Sequence, residues 1–488
     1  LLHFGGVDYE AEVYVDGQLA GRHYGGTVSF QVDITRFVRA GATHNLVVHV
    51  RDLVRSGLQP LGKQSNQYGS AGCHYTRTTG IWQTVWLEAV DGRGLADIQI
   101  VPDLDGRRFV LTPSFHSLGR GNSLRVQVMD GGRCVAETQA AAADGVPIAV
   151  DVPDVKKWSP ATPFLYDMTL EVIDSDGAVL DSVSSYAGMR KISVEGNRVL
   201  LNDEPVYLRL VLDQGFYPDG IWTAPSDEAL RRDIELSQQA GFNGARLHQK
   251  VFEERFHYWA DKLGYLTWGE SASWGCDTEN GAAIRNFLTE WRQIVVRDRN
   301  HPSIIAWSPF NETHPRRREL HDRTIIDAYE LTRTLDPTRP INDTSGYHHQ
   351  RTDLWTVHTY NQDPSKLTET LRPTDGAVFR NYPDKECAYE GQPYIVDEFG
   401  GIKWIPEDRR PFADNSWGYG NAPKTEEEFY TRLAGLVQAI LGQKHICGYC
   451  YTQLTDVEQE QNGVYNYDRS AKFDMARVRE IFGATPGA

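Results

Sequence analysis

Glu312 follows the apolar run Ile304-Ile305-Ala306-Trp307, and Glu398 follows Tyr394-Ile395-Val396. A carboxyl group at the end of an apolar strand is placed to act. Two of them, one protonated and one ionised, are what breaking a glycosidic bond requires. The protonated group gives its proton to the leaving oxygen, and the ionised group attacks the anomeric carbon or activates water. A gap of about 5–5.5 Å between them would mean retention of configuration through a covalent intermediate. Asn311 stands next to Glu312 and offers an amide to a sugar hydroxyl. The alternative for either glutamate is a surface ion pair, and the apolar strands ahead of both argue against it.

Both glutamates need a scaffold that brings positions far apart in sequence to one rim. From about residue 191 onward, short apolar strands alternate with amphipathic helices. Ser226 caps one helix, and Gly241 ends it. Eight strands are expected near 207–212, 242–247, 265–268, 304–307, 340–343, 355–358, 394–396 and 446–451. Eight such units suit a (β/α)8 TIM barrel over 191–488, with its active site at the C-terminal strand ends. Those ends deliver Asp213, Gln214, Arg246, His248, Glu270, Asn311, Glu312, Asp343, His358, Tyr360, Asp397, Glu398, Tyr451 and Gln453.

Ahead of the barrel the pattern has period two. Residues 1–91 alternate apolar and polar in short runs, with Asp16-Gly17 as a hairpin signal. This predicts a jelly-roll-like β-sandwich of the sugar-binding type. Residues 92–190 repeat the style, with turns at Asp130-Gly131-Gly132 and Asp176-Gly177, and predict an immunoglobulin-like β-sandwich. Leu1 opens inside a strand-like pattern, so the native chain is expected to begin earlier. The Gly62–Tyr68 run reads as a surface loop.

The net charge of −16 argues against nucleic acid and anionic membrane as partners. No stretch is apolar and long enough to span a membrane, and no signal peptide is visible, which favours a cytoplasmic site. The six cysteines are too scattered for a disulfide scaffold. Cys447 and Cys450 lie in a strand-like run, with no second pair to complete a zinc site.

The chain resembles glycoside hydrolase family 2, which includes β-galactosidases, β-glucuronidases and β-mannosidases. The resemblance rests on Thr79-Gly80-Ile81-Trp82-Gln83-Thr84-Val85-Trp86-Leu87-Glu88, on Arg297-Asp298-Arg299-Asn300-His301-Pro302-Ser303-Ile304-Ile305-Ala306-Trp307, on Asn311-Glu312 and on Asp397-Glu398-Phe399-Gly400. It implies Glu312 as acid/base and Glu398 as nucleophile. It further implies that Arg246 steadies the nucleophile, that Tyr360 hydrogen-bonds it, and that His358, Asp213 and Tyr451 contact the sugar. Family members often form oligomers, and nothing in the sequence fixes a number.

Departures from the family bear on the sugar. Its glucuronidases carry Asn-x-Lys after the last strand, whereas this chain reads Thr452-Gln453-Leu454-Thr455-Asp456-Val457-Glu458-Gln459-Glu460-Gln461-Asn462-Gly463, without lysine. That disfavours a uronide and leaves β-galactosides as the first expectation. β-Mannosides, arabinosides and galactofuranosides are the alternatives within the family. The metal-dependent β-galactosidases carry Glu-Thr-His where this chain has Ser273-Trp274-Gly275, so neither a catalytic metal nor any other cofactor is expected. Glu312 is expected to titrate above Glu398. The rival of a different class is an inactive carbohydrate-binding protein; loss of either glutamate would favour it, and both are present.

Overall fold

The computed structural model describes residues 1–407, 409 and 415–487. In the N-terminal region, a sheet of 30–32, 2–4 and 85–87 faces a sheet of 18–24, 10–15 and 46–51. Leu2, Phe4, Val7, Ala11, Val13 and Val32 fill the space between them. Asp16 (φ 48°) and Gly17 (φ 77°) form the turn between 10–15 and 18–24, as hairpin twist demands. Next come a sheet of 148–151, 108–115 and 95–103 and a four-stranded sheet of 133–141, 123–130, 166–173 and 179–187. Their inward residues, among them Phe109, Leu124, Val126 and Leu170, share one core, which makes a second sandwich.

The barrel follows. Its strands are the first (Leu208–Asp213), second (Gly244–Leu247), third (Leu266–Glu270), fourth (Ile304–Ser308), sixth (Trp355–Thr359), seventh (Tyr394–Gly400) and eighth (Ile446–Thr452). All pair in parallel, in the order fourth, third, second, first, eighth, seventh, sixth. Around them lie α1 (Asp227–Gln239), α2 (Glu254–Leu263), α3 (Gly281–Asp298), α4 (Arg318–Leu335), α5 (Pro364–Leu371), α6 (Glu426–Leu441) and α7 (Met475–Phe482). Ser226 accepts a hydrogen bond from Ala229 N–H and caps α1.

The fifth strand, expected at 340–343, is not a regular strand. Ile341 makes a single parallel bridge to Trp307, and Asp353 N–H donates to Ile341 O at 2.9 Å. Pro340 has no N–H to give to a ladder, which explains the interruption. The contact resumes further up, where Phe310–Asn311 pairs in parallel with Thr344–Ser345.

Side chains of the first barrel strand divide by parity. Leu208, Leu210 and Leu212 point to the barrel interior with Trp268 and Ile395, while Val211 packs outward among the helices. The N-terminal sandwich is bolted to the barrel by a buried polar joint. Glu290 on α3 accepts hydrogen bonds from Tyr9 Oη (3.0 Å), Thr27 N (2.8 Å) and Thr27 Oγ1 (2.6 Å). Trp82 packs on Trp222, ring centroids 4.8 Å apart.

Candidate active site

Glu398 reaches the lumen because its strand is irregular. Tyr394 and Val396 face the helices and Ile395 faces the interior, so strict alternation would send Glu398 outward. Register shifts between Val396 and Phe399, and between Val357 and His358 on the neighbouring strand, break that alternation. A bulge of this kind re-aims a side chain. Glu398 then accepts hydrogen bonds from Arg246 Nη1 at 2.9 Å and from Tyr360 Oη. The buried Arg246 guanidinium also binds Glu270 Oε2 (2.6 Å) and Asn311 Oδ1 (2.6 Å). Burial pushes the Glu398 carboxyl up, but His358 and Arg246 outweigh it, and the group is held below its ordinary range.

Glu312 sits just past the fourth strand with φ +43°. A non-glycine residue there is strained, and the strain is held by the parallel pair beneath it and by Glu312 N–H donating to Ser345 O at 3.0 Å. Its Oε1 is 2.7 Å from His358 Nδ1. The far nitrogen of that imidazole, Nε2, lies 3.0 Å from Ser345 Oγ and 3.3 Å from Asp397 Oδ1. Burial disfavours charge on His358, but Glu398, Asp397 and the hydrogen bonds to Asp397 and Glu312 prevail and push it up to about 10. Burial raises Glu312 too, yet the hydrogen bond and charge of His358, followed by Lys63, bring it below its ordinary value. One imidazolium thus serves both carboxylates and holds each below its ordinary range. His358, expected on the sugar, engages Glu312 through Nδ1.

Asn311 keeps its amide nitrogen buried and without a partner, while its Oδ1 is held by Arg246. A buried donor left open is a place for a ligand acceptor. Two expected sugar contacts lie elsewhere. The Tyr451 ring packs against Phe482 (4.9 Å) and Phe399 (5.6 Å), on the helix side of the eighth strand. The interior position beside it belongs to Cys450. Asp213 accepts from Gly215 N–H at 2.9 Å, and Asp233, Arg469 and Lys250 are the charges acting on it, not the two glutamates. Both corrections follow from the two-residue period of a strand, which a boundary read from sequence alone cannot phase.

Residues 192–403 match the family model "Glycosyl hydrolases family 2, TIM barrel domain", and residues 95–190 match "Glycosyl hydrolases family 2". The chain belongs to glycoside hydrolase family 2. This glycosidase is 26% identical to a β-glucuronidase of Paenibacillus borealis, across 99% of its own length and 84% of that protein. It is also 26% identical to a β-galactosidase of Thermoanaerobacter pseudethanolicus, across 74% of its own length and 48% of that protein. The chain thus spans less than half of the second relative. Among solved structures it resembles a β-glucuronidase from Ruminococcus gnavus in complex with an N1-substituted uronic isofagomine. The TM-score is 0.81 at 20% identity, covering 99% of this chain and 84% of that one. A β-galacturonidase from Eisenbergiella tayi bound to galacturonate gives 0.75 at 21% identity, with 99% and 86% covered. At these identities the structural likeness establishes the fold.

In the glycosidase, the mouth of the barrel is closed partly by the N-terminal sandwich. The Gly62–Tyr68 run, expected as a surface loop, is one only from Asn66 onward. Leu61 N–H donates to Trp274 O (2.7 Å) and Gly62 N–H to Ala272 O (3.0 Å), so Gly62, Lys63, Gln64 and Ser65 are buried. Tyr75 Oη donates to Glu460 (2.5 Å), and Gln459 Nε2 donates to Gly72 O (2.6 Å). These contacts across the chain gave no local sequence signal. The sequence run 414–420 offers either an aromatic wall for the leaving group or packing on the barrel, and its Asp414 lies outside the described residues. Tyr419 stacks flat on Tyr360, and Trp417 Nε1 donates to Gly72 O at 2.7 Å. The loop therefore backs the tyrosine that holds Glu398.

A cleft of about 650 Å³ opens beside Glu312 and is lined by His74, Trp274, Asn311, His314 and Arg316. Glu312, His358 and Glu398 each present one donor atom within 4.8 Å of the others, a set that could meet a cation. Those atoms are already committed to one another and to Arg246 and Tyr360, which supply positive charge and protons in place of an ion. Among the described residues, no helix is long and apolar enough to cross a membrane.

Proposed function

We propose that this glycosidase removes terminal β-linked sugars with retention of configuration, by double displacement. Glu398 attacks the anomeric carbon while Glu312 protonates the leaving oxygen. Glu312 then takes a proton from the water that releases the sugar. The observation that carries this reading is the closeness of the two carboxylates, whose nearest oxygens lie within 4.8 Å. That spacing suits direct attack, for which about 5–5.5 Å is usual, and is too small for the intervening water of an inverting enzyme. Arg246 and Tyr360 keep Glu398 ionised and aimed, and Asn311 Nδ2 is the open donor for a hydroxyl beside the anomeric centre.

The loop 61–75 over the barrel mouth favours action at chain ends. Following the first product by NMR in a β-glycoside digest tests the reading: β-anomer appearing first supports it, and α-anomer appearing first overturns it. Among sugars, the sequence favoured β-galactosides because the last loop lacks lysine. Its relatives include both a β-glucuronidase and a β-galactosidase, two sugars that differ in charge.

A further inference from the structure

Lys63 is a cation whose ammonium has neither an ion pair nor a hydrogen bond among the described residues. Its side chain is buried at 6% exposure, and its Nζ lies 4.9 Å above the Trp274 ring. Among the described residues no carboxylate comes within the 4.0 Å of an ion pair, and no hydrogen bond engages the ammonium. Burial works against its charge, but Cys73, then Glu460, Glu398 and Glu312, keep it protonated. The Trp274 ring beneath it lines the cleft beside Glu312, which puts the ammonium at the edge of that cleft. Of the three glutamates, the nearest in effect, Glu460, already uses its oxygens on Tyr75 Oη (2.5 Å) and Asn462 Nδ2 (3.1 Å).

The position of Lys63 is built. Gly62 has φ +61°, and a Cβ there would stand 2.0 Å from Gln249 O, so only glycine lets the loop press against the barrel at this point. Lys63 O accepts from Tyr75 N–H at 2.8 Å. Two neutral acceptors at barrel strand ends, Gln214 Oε1 and Gln453 Oε1, are buried and unpartnered, and a buried acceptor left open can take a ligand hydroxyl. The Lys63 ammonium differs from these oxygens in carrying a charge and having no ion pair, so an anionic ligand group can meet it.

We propose that Lys63 receives the carboxylate of a uronic acid ring bound with its anomeric carbon at Glu398, making the substrate a β-linked uronide. This rests on the retaining-glycosidase reading and names its substrate class. The lysine missing from the loop after the eighth strand is supplied by the N-terminal sandwich, and the expectation of a neutral galactoside gives way to a uronide.

The test compares nitrophenyl β-D-glucuronide and β-D-galacturonide with the matching glucoside and galactoside, for the unmodified protein, Lys63→Met and Lys63→Arg. At least one uronide should exceed its neutral counterpart by about a hundredfold in kcat/KM. Lys63→Met should collapse that ratio, chiefly through KM, and Lys63→Arg should keep part of it. A neutral sugar preferred by the unmodified protein, or equal losses on both classes in Lys63→Met, overturns the proposal. Calorimetric titration of the Glu398→Gln protein with glucuronate, galacturonate, glucose and galactose separates this from failure of the catalytic reading. Uronate binding that exceeds hexose binding and depends on Lys63 supports the subsite even where turnover is absent; hexose binding without uronate binding overturns it.

Discussion

His358 holds Glu312 through a 2.7 Å contact from Nδ1, and the same nitrogen lies 3.4 Å from Glu398. One imidazolium thus depresses both carboxylates that the chemistry uses. Removing it by His358→Asn should raise both, so both limbs of the kcat/KM–pH profile should move to higher pH by about a unit or more. Limbs that stay in place would show that His358 only fills space. The linkage runs the same way. The folded value of about 10 lies above the ordinary 6.5, so the stabilisation from this charge is complete below pH 6.5 and lost as pH rises through about 10. The Tm difference between the unmodified protein and the variant should shrink over that window.

Glu398→Gln should keep the fold and lower turnover by several orders of magnitude, of the order of 10³-fold or more. Glu312→Ala should behave differently for different leaving groups. A dinitrophenyl glycoside, whose leaving group needs no proton, should still form the covalent intermediate, and added azide should speed its breakdown. Equal losses on activated and unactivated substrates in Glu312→Ala would remove the acid/base assignment.

The two tyrosines at the strand ends should separate. Tyr360 bonds Glu398 directly, so Tyr360→Phe should cut kcat by roughly tenfold to a hundredfold while leaving Tm close to its original value. Tyr451 packs between Phe399 and Phe482, so Tyr451→Phe should leave kcat and KM within about twofold, whereas Tyr451→Ala should cost about 3–5 kcal/mol of stability. A large KM effect in Tyr451→Phe would return that residue to the sugar.

Asp213 is pushed up to about 7, first by burial and then by Asp233. An acid with a raised value stabilises the fold fully below its unfolded value near 3.8 and loses that contribution as pH rises through about 7. Asp213→Asn should therefore flatten the fall in Tm between pH 5 and pH 8. An unchanged slope would show that Asp213 is ionised throughout.

By itself the sequence determined the fold class, the family and the two glutamates. The fold class rests on alternation with turn residues in the sandwiches and strand–helix repetition in the barrel, the two glutamates on their place after apolar strands, and the family on the resemblance of motifs such as Asn311-Glu312 and Asp397-Glu398-Phe399-Gly400. It placed Arg246 at a strand end, and the family resemblance implied its role beside Glu398. Tertiary structure decided which way side chains face. A bulge turned Glu398 inward, and plain alternation turned Tyr451 outward, a difference of one residue in phase that composition does not record. It decided that His358 would serve Glu312, and Gly346 leaves room for the ring there: a Cβ at that position would meet the imidazole at 2.5 Å. It also decided that Lys63, more than two hundred positions before either glutamate, would rest on Trp274 beside the cleft at Glu312. Contacts of that range depend on how two domains dock, and docking is set by shape and buried polar joints such as Glu290 with Thr27, not by any pattern within one segment.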